Sequence, residues 1–328
     1  MKKLAIFLAV AALAACTKSG VEYDDPAEIG FAPATKNITK ASGLSGNLAT
    51  TQELGIWAYW DNDATPGTVS AYGGYSDNYL VNALFVNKGA ASWGGAGNGY
   101  PWPVNGALVF AGYTTPGDEV LATGKVSYDL GTDKMTFTGY ANTNEFDLCW
   151  FGRTASSYNN RADGAAVSVN LSHALAWVSV AVCGEGSPVG NWTVTSMSMS
   201  NVATAGTAVC DGASLKATWT GKTVPAEAYP VFSGSQTIPA ATVVNGKTTG
   251  TVISNNVLIP SASVQLTVNY SFVVNGQTKT DSKTVTLNTA EWESGIHYTY
   301  TLFFQGNEIL VSPSYNGWDS SDQTITVQ

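Results

Sequence analysis

The chain has 328 residues, of which 24 are acidic and 15 basic, for a formal net charge of −9. Charged residues make up 12% against an ordinary share of about 25%, and 44% of residues are hydrophobic, so a sizeable core is available. This acidic balance, with no run of Lys or Arg, excludes a nucleic-acid footprint, and the length suits about two domains.

At the N-terminus, Lys2 and Lys3 precede an apolar run from Leu4 to Ala15. The run is too short for a permanent membrane span and fits the apolar region of a secretory signal. It ends in Leu13-Ala14-Ala15-Cys16, which resembles the bacterial lipobox, where cleavage falls before the cysteine and the thiol receives lipid. Residues 1–15 are therefore expected to be a removed signal peptide, Cys16 the lipidated first residue, and 16–27 a leader. Each buried acyl CH₂ contributes about 0.8 kcal/mol, so more than one acyl chain holds a protein at a membrane. Thr17 follows the cysteine where an aspartate would suggest inner-membrane retention. By resemblance to Gram-negative lipoproteins, the expected location is the outer membrane, lipid-anchored and exposed at the surface or in a pilus.

Beyond the leader, period-2 alternation and short β-branched runs dominate. Strands are predicted at Gly55–Trp60, Tyr79–Val86, Ala107–Tyr113, Lys134–Tyr140, Val167–Leu171, Ala176–Val182 and Trp192–Met199. Further strands are predicted at Val264–Val274, Thr278–Leu287, Tyr298–Gln305 and Gln323–Val327. In Val264–Val274 the residues Val264, Leu266, Val268, Tyr270 and Phe272 share one face, and Gln265, Thr267, Asn269 and Ser271 the other. Asn275-Gly276 then predicts a two-residue hairpin turn. Gly and Pro punctuate the chain throughout, and no long amphipathic helix appears. The fold is expected to be all-β, with two sandwiches in tandem. The polar stretch Asn160–Ala166 places the division, giving domains at 28–163 and 164–328.

Catalytic patterns are not found, and no enzyme, cofactor or metal site is expected. The only histidines are His173 and His297, and neither sits in a motif that activates a nucleophile. There is no CxxC spacing for a metal. With Cys16 lipidated, Cys149, Cys183 and Cys210 remain. Either Cys183 and Cys210 pair, or all three are buried thiols acting as small hydrophobes. The glycine-rich stretch Gly94–Gly99 opens no helix and is read as a loop. Trp57, Tyr59, Trp60, Trp93, Tyr100 and Trp102 cluster in the first half. They fill a core, or Trp93 and Trp102 present a stacking surface for sugar rings, which would make the protein a glycan-binding surface lipoprotein.

A resemblance extends along nearly the whole chain after Cys16. It runs through Ile29-Gly30-Phe31, Leu54-Gly55-Ile56-Trp57-Ala58-Tyr59, Trp93, Tyr100-Pro101-Trp102-Pro103 and Leu108-Val109-Phe110-Ala111-Gly112-Tyr113. It continues through Asp147-Leu148, His173-Ala174-Leu175-Ala176-Trp177-Val178, Leu258-Ile259-Pro260, Trp292, Gly295-Ile296-His297-Tyr298 and Trp318. In this order, behind a lipobox, these residues resemble the fimbrillin (Mfa-like) lipoproteins, which supply type V pilus subunits and related adhesins. The resemblance implies transthyretin-like sandwiches, a structural or adhesive role, and partners that are other pilus subunits or further copies of the chain. The surface receptor is not specified by it. It also implies donor-strand exchange, in which a protease removes the first strand and a C-terminal strand of the next subunit fills the groove. Ile29 and Phe31 then mark the removable strand, Lys36 and Lys40 the processing positions, and Ile325 and Val327 the donor strand. Family cleavage often follows arginine, whereas the first arginine here is Arg153. Gln323–Val327 reads equally as an ordinary last strand of its own domain.

Overall fold

The computed structural model describes residues 28–34, 52–61, 77–89, 92–103, 106–116, 119–142, 146–156, 166–185, 192–244, 247–305, 308–318 and 325–326. Among these residues there are twenty-three strands and no helix, as the alternating sequence requires. The predicted hairpin forms between β19 (Gln265–Val274) and β20 (Gln277–Thr286). Asn275 and Gly276 have φ of 51° and 74°, the left-handed pair that matches a tight turn to the twist of its strands. Val264, Leu266, Val268 and Tyr270 are buried on one face, while Gln265 is exposed on the other.

The largest sheet has eight strands. They are β1 (Gly30–Ala34), β2 (Gln52–Asp61), β3 (Asp77–Gly89), β4 (Ser92–Gly95), β5 (Ala107–Pro116), β8 (Cys149–Ser156), β9 (Val167–Asn170) and β10 (Ser172–His173). Their order is β10-β8-β5-β2-β3-β4-β1-β9. The terminal strands β9 and β10 are separated in the chain by Leu171 alone, so the sheet must curl until its two ends meet. Its inner face holds a core of Phe31, Leu54, Ile56, Phe85, Phe110 and Phe151, among others.

The outer face of the same sheet carries Trp57, Val109, Ala111 and Tyr113 into a second core. Strands β2 and β5 are therefore apolar on both faces. The covering layer is a four-stranded sheet of β6 (Val126–Asp129), β7 (Lys134–Ala141), β13 (Ala205–Asp211) and β14 (Lys216–Thr223). Met135, Phe137, Ala208 and Cys210 face inward from it.

A third core lies between two further sheets. One is β18 (Thr251–Leu258), β11 (Ala176–Gly184), β21 (Ile296–Gln305), β22 (Glu308–Gly317) and β23 (Ile325–Thr326), in that order. The other is β15 (Tyr229–Thr237), β12 (Thr193–Ser200), β19 and β20. Val178, Val180, Val182, Leu302 and Phe304 meet Val194, Leu266, Val268 and Tyr270 across this sandwich. A small hairpin, β16 (Thr242–Val244) and β17 (Lys247–Thr249), stands apart.

The division expected at 163/164 does not separate these sheets. β9 pairs with β1 and β10 with β8, and β13 pairs with β7, Cys210 opposite Met135. Residues 167–173 and 205–223 thus belong to the layers begun by the first half. A polar stretch of sequence does not say which sheet the next strand joins; residues 157–165 lie outside the described residues. The cysteine alternatives also resolve. Cys149, Cys183 and Cys210 are all free buried thiols.

The layers join along a run of rings. His173 stacks on Trp318 at 3.9 Å, Trp177 stacks on His297 at 3.5 Å, and the two indoles are 5.7 Å apart. The His297 Nε2 lies 2.8 Å from the Ser179 hydroxyl. Burial lowers the His297 pKa from 6.5 to about 4, because the interior disfavours the imidazolium. On the other flank, the Trp219 indole donates to the Ala174 carbonyl at 2.7 Å.

Two outcomes are expected. A fragment of residues 28–163 lacks β9, β10, β13 and β14, so it is expected to show no cooperative thermal unfolding; a sharp transition with dispersed amide resonances would show that it folds alone. Because the unfolded state takes up a proton at His297 before the folded state does, stability falls as pH drops from 6.5 towards 4, by up to about 3 kcal/mol. Above pH 7 this contribution is flat. Denaturant unfolding of the wild type and His297→Gln across this range should differ in slope within that window, and parallel curves would refute the assignment.

Candidate functional site

The first strand sits inside the sheet, not at its edge. β1 pairs antiparallel with β4, Phe31 opposite Trp93, and parallel with β9, from Phe31 opposite Val167 to Ala34 opposite Asn170. Ahead of it, the Ile29 amide donates to the Tyr100 carbonyl at 2.7 Å. Alternation sends Ile29, Phe31 and Pro33 inward, all buried. The Phe31 ring meets Phe85 at 5.0 Å and Phe110 at 5.1 Å, both edge-on, with Phe151 at 6.3 Å. Edge-to-face pairs of this kind contribute about 0.5–1.5 kcal/mol beyond area burial. Of the glycine-rich stretch expected to be a loop, Gly94 and Gly95 instead belong to β4, because Gly94 pairs with Gly30 and Val86, and only residues 96–99 turn past the start of the strand. Gly99 has φ of 76°, a left-handed conformation that side-chain-bearing residues rarely adopt, so glycine is favoured there.

This arrangement makes β1 a plug. Burying the Ile29 and Phe31 side chains contributes about 1.5–3 kcal/mol each. Without β1, a row of backbone groups on β4 and another on β9 lose their partners, and apolar sockets open at alternate positions. β9 has no other strand partner among the described residues. β23 pairs with β22 at two positions, Thr326 opposite Ser314 and Ile325 opposite Tyr315. Among the described residues, the rest of that edge of β22 carries no strand.

The other expected site residues are placed as follows. Cys16, Lys36, Lys40 and Val327 lie outside the described residues, as does the Ile325 side chain. Among the described residues, no helix is long and apolar enough to cross a membrane. Trp93 and Trp102 are 0% and 2% exposed. The Trp93 indole donates to the Gln52 carbonyl at 2.8 Å, and Trp102 packs edge-on against Phe110. The stacking-surface reading of these two residues is therefore corrected. The inner face of the curled sheet needs large side chains, and it takes them.

The structure also assembles three residues that no sequence motif linked. Asp147, Cys149 and His173 are buried together. The His173 Nδ1 lies 2.9 Å from Asp147 Oδ2 and 3.4 Å from Cys149 Sγ. Burial, with the Asp147 charge, pushes the Cys149 thiol up to about 12, so at neutral pH it carries its proton. Asp147 and Cys149 meet the same ring nitrogen, so the imidazole cannot relay a proton between them through its two nitrogens. A substrate has no access to the three side chains in this conformation.

The family description "Fimbrillin-like" matches residues 39–318. The chain belongs to this fimbrillin-like family. No curated protein matches it. Among solved structures, a candidate cell adhesion protein from Bacteroides uniformis is similar at 18% identity and a TM-score of 0.51, covering 89% of this chain and 99% of that one. A candidate cell adhesion protein from Bacteroides ovatus is similar at 12% identity and a TM-score of 0.51, covering 92% and 100%. At these identities the likeness is one of fold: the fimbrillin-like chain shares its all-β layers with them over nearly their full lengths.

Phe31→Ala is expected to lower unfolding free energy by about 3–5 kcal/mol. Val81 is 63% exposed, and Val81→Ala should stay within about 0.5 kcal/mol. Equal effects of the two in urea unfolding would contradict the placement of β1.

Proposed function

We propose that this fimbrillin-like protein is a structural or adhesive subunit of a surface fimbria, assembled by strand exchange. β1 is released, and the C-terminal strand of another copy or of a related subunit takes its place. The observation that carries this reading is the seat of Ile29 and Phe31, fully buried on an interior strand between β4 and β9. A strand removed from such a seat leaves backbone groups and apolar sockets that only another strand satisfies.

The complementarity is simple. Ile29 and Phe31 are spaced by two residues, and Ile325 and Val327 have the same spacing, so alternate apolar side chains enter the same sockets. Lys36 and Lys40 follow β1 closely and offer a trypsin-like protease its cut. Before that cut, lipid on Cys16 holds the chain at the outer membrane, with the sheets facing outward. The role is one of scaffold and adhesion, without catalysis.

The test is limited trypsin treatment of the purified chain, with mass spectrometry and non-reducing size analysis. Cleavage after Lys36 or Lys40 followed by stable ladders is the expected result. A chain lacking residues 323–328 should be cut in the same way and remain monomeric. Ladders of undiminished yield from that truncated chain would overturn the exchange.

A further inference from the structure

Asp147, Cys149 and His173 lie apart from the strand exchange. Cys149 and His173 stand directly opposite each other in the antiparallel pairing of β8 with β10. Asp147, two residues before Cys149 and just ahead of β8, reaches the same imidazole. The ligand atoms of the three side chains lie within 4.8 Å of one another. One imidazole nitrogen faces both a sulfur and a carboxylate oxygen. Among the described residues, the second carboxylate oxygen, Asp147 Oδ1, is buried and has no hydrogen-bond partner. A carboxylate oxygen left this way is costly, and a cation beside it removes the cost.

We propose that Asp147, Cys149 and His173 bind a divalent transition-metal ion, with zinc the best match. Sulfur and imidazole ligands together select zinc over calcium or magnesium, which take oxygen ligands. Zinc bonds of about 2.0–2.3 Å at tetrahedral angles set neighbouring ligand atoms roughly 3.3–3.6 Å apart. The sulfur–nitrogen distance of 3.4 Å already fits, and the oxygen–nitrogen distance of 2.9 Å needs only a small opening. Bidentate binding by Asp147 would bring Oδ1 in as the fourth donor. On binding, the S–H bond of Cys149 breaks, a zinc–sulfur bond forms, and the proton leaves to solvent.

The surroundings fix the ligands. The Cys149 amide donates to the Thr114 hydroxyl at 2.8 Å, and the His173 ring lies flat on Trp318. Such supporting contacts hold metal ligands in place. The site is sealed, so the ion is taken up as the chain folds. Its effect is structural: it clips β10 to β8 where the eight-stranded sheet closes.

The test uses the full chain, refolded with zinc chloride or with a chelator, then dialysed and assayed for metal. About one zinc per chain is expected after refolding with zinc, with a thermal midpoint several degrees above that of the chelated sample. Refolding with cobalt(II) should give a thiolate-to-metal absorption band that Cys149→Ser lacks. Asp147→Asn, if folded by circular dichroism, should retain no metal after dialysis. A wild-type chain that retains no metal, shows no cobalt band and melts identically in zinc and chelator would overturn the proposal, leaving a hydrogen-bonded trio only.

Discussion

Residues 167–173 lie at both ends of the eight-stranded sheet, with β9 against β1 and β10 against β8. A sheet normally exposes an edge on each side. Here one short stretch of chain closes both, and its hold on one side passes through β1 alone. The inner core depends on that closure, because Val167 and Val169 complete the wall around Phe31. The join to the rest of the molecule depends on it as well, because His173 begins the run of stacked rings that reaches Trp318, Trp177 and His297.

This closure gives the first strand a double character. It is well packed, with two side chains at 0% exposure, and it is short and bounded by its own few pairings. Strands such as β2 and β5 serve two cores at once and cannot leave without dismantling both. β1 serves one. The true edges are handled differently. β20 is exposed along nearly its whole length and carries Lys279, Asp281 and Lys283, charges that discourage unplanned pairing.

Much of the secondary structure was legible because one-sided burial writes itself into alternation. The β19–β20 hairpin, its Asn275-Gly276 turn and the inward set from Val264 to Tyr270 follow from local rules. Strands β13 and β14 were missed. Ala205–Asp211 and Lys216–Thr223 are rich in small and polar residues, and their apolar positions matter only because β7 lies beside them. Strand pairing crosses the polar stretch near residue 163 for a related reason: composition is local, whereas partnership between strands is not. At the candidate site, the Ile29 and Phe31 alternation could be read directly, but its interior position between an antiparallel and a parallel neighbour could not.

The sequence by itself determined the all-β class, the acidic low-charge surface, the turn residues and the ordered residues that mark the fimbrillin-like family, because each is set within a few residues or by composition. Only the tertiary structure decided that Trp93 and Trp102 face a core, that residues 167–173 close a sheet begun before residue 35, and that Asp147, Cys149 and His173 converge. Alternation specifies which side chains share a face of a strand. Which strand lies across from it, and what meets above that face, is a matter of pairing between segments far apart in the chain, and no local pattern encodes the partner.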